Sequence, residues 1–267
     1  MCIRDRYYIQ TNINKEDFRQ IQIVPCGSCY KISIVYRKEL VADMESNNNY
    51  VAIDLGVDNL ATLTNNIGLQ PIVINGKTIK SINQYYNKKL SKLKSYVGNK
   101  SSNRIKNLSV KRNNIINTHF HRISRYIINY CIQHNIKSIV IGKNERWKQK
   151  SKMNKRSNQK FIHVPFETLI SQLTYKGEDV GIKVITVKEQ YTSKSSFIDN
   201  DPLPTKMGIY EFNGKRIKRG LYKSKNGLLI NADVNGSYNI LRKCNPQFNY
   251  DERIEGISLY PVRVNII

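Results

Sequence analysis

Carboxylates are scarce in this 267-residue chain: 20 Asp and Glu stand against 44 Lys and Arg, for a formal net charge of +24. So one-sided a balance calls for an acidic partner, and nucleic acid is the commonest one. Cysteine is sparse too. There are five, an odd number, and only Cys26 and Cys29 lie close together. That is a poor basis for a disulfide framework, and a reducing cytoplasm is expected instead. No apolar run reaches the length of a membrane-spanning helix, and no secretory signal opens the sequence. What is present suffices for a packed core: 40% of residues are apolar and 24% charged, which excludes global disorder and fits one large domain.

Asn, Lys, Ile and Tyr crowd the chain, as AT-rich codons alone would make them. The distribution of charge therefore says more than its total. Residues 77–160 carry 22 Lys or Arg and a single acid, Glu145. Codon bias supplies lysine but does not remove acids. This stretch should present a positive surface that tracks phosphates, with an ordinary solvated helix face as the plain alternative.

Residues 7–45 read as short strands, with Tyr30 to Tyr36 alternating at period two. The Cys26-Gly27-Ser28-Cys29 segment is either half of a zinc site or a turn between two strands. No second cysteine pair follows to complete four ligands, which favours the turn. A polar linker, 45–49, leads to Tyr50-Val51-Ala52-Ile53-Asp54-Leu55-Gly56, an apolar run that reads as a central strand. Two more strands, 60–64 and 71–74, complete an antiparallel meander. Ile82, Tyr85, Tyr86, Leu90, Leu93 and Val97 recur at helical spacing, as do Ile115, Ile116, Phe120, Ile123, Ile127 and Cys131. These predict two long helices joined at 98–102. A strand at 137–142, a helix opened by Pro165 and ended by Gly181, a strand at 182–187 and a helix from Asn231 follow. Residues 192–230 read as loops, and the tail after Lys243 shows no period. This order predicts a mixed α/β sheet of the ribonuclease-H-like class.

Three acids stand out. Asp54 interrupts an apolar strand, Glu145 follows the end of another, and Asp233 sits in the first turn of the last helix. A charged carboxylate in an apolar strand is costly unless something neutralises it. Divalent cations do this, and two ions about 3.5–4 Å apart drive phosphodiester hydrolysis. Each acid has an alternative. Asp54 could cap a turn or pair with an arginine. Glu145 could be a surface residue among lysines, and Asp233 could serve as a helix cap.

The segments Ala52-Ile53-Asp54-Leu55-Gly56, Ile141-Gly142-Lys143-Asn144-Glu145 and Asn231-Ala232-Asp233-Val234-Asn235-Gly236-Ser237-Tyr238-Asn239-Ile240-Leu241 together resemble the three RuvC motifs of the TnpB (OrfB) family of transposable elements, over roughly residues 20–243. The resemblance implies an RNA-guided, Mg²⁺- or Mn²⁺-dependent DNA endonuclease, with Asp54, Glu145 and Asp233 as catalytic acids and ligands of two ions. It implies DNA and a guide RNA as partners, with base pairing reading the sequence. Lys88, Lys89, Lys92, Lys94, Arg104, Lys111, Arg112, Arg122 and Arg125 on the helical hairpin would hold nucleic acid, as would Lys215, Arg216, Lys218 and Arg219. The acid order Asp, Glu, Asp argues against cut-and-paste transposases, which run Asp, Asp, Glu. An alternative is a non-cleaving module that binds single-stranded DNA or RNA, and a third is a structural relic.

Two departures from the family pattern shape the domain assignment. Relatives carry a four-cysteine zinc ribbon before the last acid, but residues 192–230 hold no cysteine, so no zinc is expected. Asp199 and Asp201 there are either extra metal ligands or part of a solvated loop. The N-terminal side is short against the family pattern, so residues 1–46 are expected to be the remnant of a β wedge domain, the first six resembling translated adapter. The nuclease domain is expected over 50–243, with the helical hairpin at 77–135, an insertion at 192–230, and a tail at 244–267.

Overall fold

The computed structural model describes residues 8–27, 29–39, 47–143, 163–206, 208–251, 254 and 256–266. Its centre is a six-stranded mixed sheet. The meander forms as the sequence predicts: β3 (Tyr50–Leu55), β4 (Asn59–Asn65) and β5 (Ile72–Asn75) pair antiparallel. β6 (Ser138–Gly142) then pairs parallel with β3, and β7 (Lys183–Val187) pairs parallel with β6. β1 (Phe18–Cys26) and β2 (Cys29–Tyr36) form a separate hairpin, with Cys26 opposite Cys29 across the turn.

Two helical layers cover the sheet because its strands alternate cleanly. On β3, Val51, Ile53 and Leu55 face one core, and on β6 Ile139 and Ile141 do the same. Onto that face pack the second half of α2 (Asn103–Gln133), through Ile116, Phe120, Ile123 and Ile127, and α3 (Phe166–Glu178), through Leu169 and Leu173. The residues between them, Ala52 and Val140, face the opposite side and meet Ile240 and Leu241 of α4 (Ala232–Cys244). Asp54 shares the parity of Ala52, so the pleat directs it to the α4 side.

α1 (Lys77–Val97) and α2 form the predicted hairpin around the 98–102 turn, and Ser102 caps α2 by accepting from the Ile105 N–H at 3.3 Å. Burial corrects the predicted apolar stripes. In α1 only Ile79 and Asn83 are buried, and Tyr85 is exposed. In α2 burial begins at Ile116, whereas Ile115 is exposed. The hairpin therefore carries its far end beyond the core, where the Gly27 turn lies against Lys106 and Val110 of α2.

The 192–230 segment, expected as loops, contributes to three short strands: β8 (Lys215–Lys218), β9 (Leu221–Lys223) and β10 (Leu229–Asn231). Strands of three or four residues are too short for a period to show, and β8 is exposed throughout. The tail is also ordered: β11 (Val262–Val264) pairs parallel with β5 at the sheet edge. Two valines flanking Arg263 would not mark a strand without that partner.

Arg112, expected among the nucleic-acid contacts, is instead committed within the hairpin. Its Nε and Nη2 donate to Asn83 Oδ1 at 2.9 and 2.8 Å, and Nη2 also reaches the His163 carbonyl. Hydrogen bonds from a charged donor are each worth about 1.5–3 kcal/mol. Arg112→Ala should cost about 2 kcal/mol in urea unfolding, whereas Lys111→Ala, at an exposed position, should leave stability unchanged.

Candidate active site

The parallel strands β3, β6 and β7 end at the same edge of the sheet, and α4 begins there. Asp54 is the penultimate residue of β3, and Asp233 is the second residue of α4. The capping alternative for Asp233 is answered by its neighbour. Asn231 Oδ1 accepts from the N–H groups of Asp233 and Val234 at 3.0 and 3.2 Å, so Asn231 is the cap. The Asp233 carboxylate is left to face outward from the helix. It accepts from Asn59 Nδ2 at 2.5 Å, and Arg216 Nη2 lies 3.8 Å away.

Gly236 leaves room for the Asp54 carboxylate beneath α4: a Cβ there would stand 2.9 Å from Asp54 Oδ2 and displace that end of the side chain. Asp54 keeps some exposure toward the cleft, yet the protein packed around it pushes its carboxyl well above the usual carboxylate range. Burial is the largest cause, followed by the charges of Glu189 and then Asp233, with Arg216 opposing. Among the described residues no donor hydrogen-bonds to the Asp54 side chain, and neither a turn cap nor a direct arginine pair explains it.

Glu189 escaped the sequence reading. It follows β7 by two residues, at the same sheet edge as the end of β6, where Gly142 pairs with Val187. A Cβ on Gly142 would come within 3.0 Å of Glu189 Oε2. The signal that singled out Glu145, an acid just past an apolar strand, applies equally to Glu189 on the next strand. Burial pushes the Glu189 carboxyl up to about 7, and the Lys243 ammonium opposes that rise. Glu145 lies outside the described residues. Among the described residues, no three His, Cys, Asp or Glu side chains already stand close enough together to hold a metal ion.

Asp54 and Asp233 open into a cleft of about 780 Å³. Its rim is basic, with Lys77, Lys80, Arg216, Arg219 and Arg263, and Asp58 pairs there with Lys80 and Arg219. Of the expected nucleic-acid residues, Arg216 and Arg219 thus belong to the cleft, and Lys215 and Lys218 are exposed on the same strand. Lys88, Lys89, Lys92 and Lys94 on α1 are exposed, as are Arg104, Lys111, Arg122 and Arg125 on α2.

Asp199 and Asp201 do not form a solvated loop. Asp201 is buried, accepting from the Ser196 N–H at 2.9 Å and Asn213 Nδ2 at 2.7 Å. Asp199 accepts from Ser196 Oγ at 2.5 Å and the Lys225 N–H at 3.0 Å. These bonds tie residues 196–201 to the small three-stranded sheet, so the carboxylates act as crosslinks within the insertion.

With this geometry established, comparison with known proteins finds what the chain is similar to. Residues 33–148 match the OrfB_IS605 family, described as "Probable transposase", and residues 166–240 match the Cas12f1-like TNB domain. The two matches follow one another along the chain without overlap and bear out the resemblance to OrfB (TnpB) proteins. A Cas12f1 structure solved as an sgRNA–target DNA complex superposes with a TM-score of 0.53 at 18% identity, covering 82% of this chain and 55% of that one. A CRISPR-Cas12f ternary complex superposes with a TM-score of 0.54 at 17% identity, covering 83% of this chain and 43% of that one. The chain thus spans about half the length of these structures. No curated protein matches it. Among the described residues, no helix is long and apolar enough to cross a membrane.

A carboxyl raised in the folded state takes up a proton that the unfolded chain releases. The Glu189 contribution is therefore most favourable below its usual value of 4.5 and is lost as pH rises toward about 7. Glu189→Gln should raise the thermal midpoint at pH 7 and flatten its fall between pH 4.5 and 7, measured in EDTA.

Proposed function

We propose that this chain is a ribonuclease-H-like (RuvC) nuclease core that hydrolyses phosphodiester bonds in DNA with the aid of divalent cations. The observation that carries the reading is the meeting of Asp54 and Asp233 beneath a basic-rimmed cleft, on strand and helix ends that also bring Glu189 near. The donor set fits Mg²⁺ or Mn²⁺: all oxygen, two carboxylates facing the cleft, and a glycine cradle that leaves Asp54 Oδ2 uncovered. The third acid is Glu189, whose charge already acts on Asp54, or Glu145, to which the family resemblance points. The raised Asp54 carboxyl supports the fit, because burial and the nearby charges of Glu189 and Asp233 outweigh Arg216 there, and a cation would relieve both.

When bound, a divalent ion would activate water and neutralise the leaving oxygen. The protein's own residues supply the rest. Asn59 and Arg216 fix Asp233, so its carboxylate needs no rearrangement to serve as a ligand. Lys77, Lys80 and Arg263 line the cleft where a substrate phosphate backbone would run. The exposed lysines and arginines of α1 and α2 offer a longer electrostatic track, suited to a guide–target heteroduplex such as the solved Cas12f1 complex contains. One observation favours the alternative of a non-cleaving binding module: the described acids do not already form a three-membered cluster at metal-holding separations.

Cleavage of end-labelled single-stranded DNA by the full chain, in Mg²⁺ and in EDTA, separates the two readings. Cutting is expected only in Mg²⁺, with Asp54→Ala abolishing it while leaving binding nearly intact. Cutting that survives Asp54→Ala would sink the reading, and salt-sensitive binding without any cutting would establish the binding module. Glu189→Gln and Glu145→Gln in parallel identify the third acid. Loss with Glu189→Gln alone is expected, and loss with Glu145→Gln alone would restore the motif-based assignment. Gly236→Ala displaces only the end of the Asp54 side chain. It should lower cutting by about tenfold or more with little change in thermal midpoint.

A further inference from the structure

A second cavity, of about 540 Å³, adjoins the carboxylate cleft, and Ser193 and Arg216 line both. Its walls differ in kind from those of the cleft. Tyr191, Tyr210 and Phe212 supply aromatic surface, and Lys194, Lys215 and Arg216 supply positive charge. The aromatic group is held in place. Tyr191 has φ 63°, a left-handed conformation that bulky side chains avoid. Its hydroxyl donates to the Gly208 carbonyl at 2.8 Å and accepts from the Gly208 N–H at 2.9 Å. Tyr210 stands edge-on to it with ring centroids 5.2 Å apart, and Phe212 lies 6.1 Å away. Yet the cluster is not a core, because Tyr210 remains 39% exposed and the neighbouring Ile209 is fully exposed.

Aromatic rings fixed beside cations suit a flat π-system carried on an anionic backbone, which describes the base of an unpaired nucleotide. A duplex keeps its bases stacked inside and would meet only the charges. We propose that this cavity binds one unpaired nucleobase of single-stranded DNA by stacking on Tyr210 and Phe212. Arg216, standing between the cavities, holds the adjoining phosphate toward Asp54 and Asp233. The placement of that phosphate rests on the nuclease reading; base stacking does not.

The test uses the full chain in EDTA with single-stranded DNA carrying 2-aminopurine, whose fluorescence falls on stacking. Quenching is expected with the unaltered protein and with Tyr210→Phe. It should be lost in Tyr210→Ala, with affinity falling about tenfold. A strand with abasic positions throughout keeps its phosphates and should bind the unaltered protein as weakly as ordinary DNA binds Tyr210→Ala. This arm decides the matter even if the alanine variant misfolds. Equal binding of abasic and ordinary strands would overturn the proposal, as would quenching unchanged in a folded Tyr210→Ala. Quenching with RNA of the same sequence but not with DNA would overturn the commitment to DNA. Quenching by a protein that never cuts in Mg²⁺ would support the pocket while sinking the nuclease reading.

Discussion

The crossing of α4 over β3 and β4 is the contact on which the rest of the site depends. It is built from one buried hydroxyl and one absent side chain. Ser237 Oγ lies 3.1 Å from the Ala52 carbonyl and 3.0 Å from that of Thr62, with the Thr64 hydroxyl at 2.9 Å. All of this is out of water, where an unmet polar group would be costly. One residue earlier, Gly236 lets the helix backbone approach Asp54. The hydroxyl sets where the helix sits along the strands, and the glycine sets how close it comes. Asp233 then has its position, since it lies one turn further toward the helix start.

From that crossing the electrostatics follow. Burial opposes the ionisation of Asp54 and Glu189, the charges of Glu189 and Asp233 add to it at Asp54, and Arg216 is the opposing charge there. The small sheet formed by β8, β9 and β10 is what brings Arg216 there. Asp199 and Asp201 secure the loop ahead of that sheet, and Phe197 stacks on Tyr238 of α4 with centroids 4.4 Å apart. Carboxylate-to-backbone bonds can crosslink a short segment as long as the surroundings stay dry, a condition the burial of Asp201 meets. The insertion is thus joined to α4 by aromatic packing and to the cleft by its basic strand.

Much of this was legible in the chain itself. The apolar run around Asp54, the helical spacing of residues 82–97 and 115–131, and the strand at 137–142 are local patterns, and each appears as an element at nearly the expected bounds. Motif order singles out Asp54 and Asp233, and both line the same cleft. Other features had no local signature. β8 to β11 are too short for a period, and the role of Arg112 depends on Asn83 and His163, 29 residues before it and 51 after. Glu189 has the same local signature as Glu145, an acid just past an apolar strand, and its charge acting on Asp54 is visible only in the fold.

Sequence by itself determined the alternation that points Asp54 away from the main core, the cap at Asn231, and the concentration of positive charge in residues 77–160. Those properties depend on neighbours within a few residues, where backbone geometry leaves little choice. Tertiary structure alone decided which acids share a field, which arginines face solvent, and that an aromatic pocket adjoins the carboxylate cleft. The reason is physical: desolvation, Coulomb interaction and close packing act through space, and some of the residues they join lie 185 positions apart.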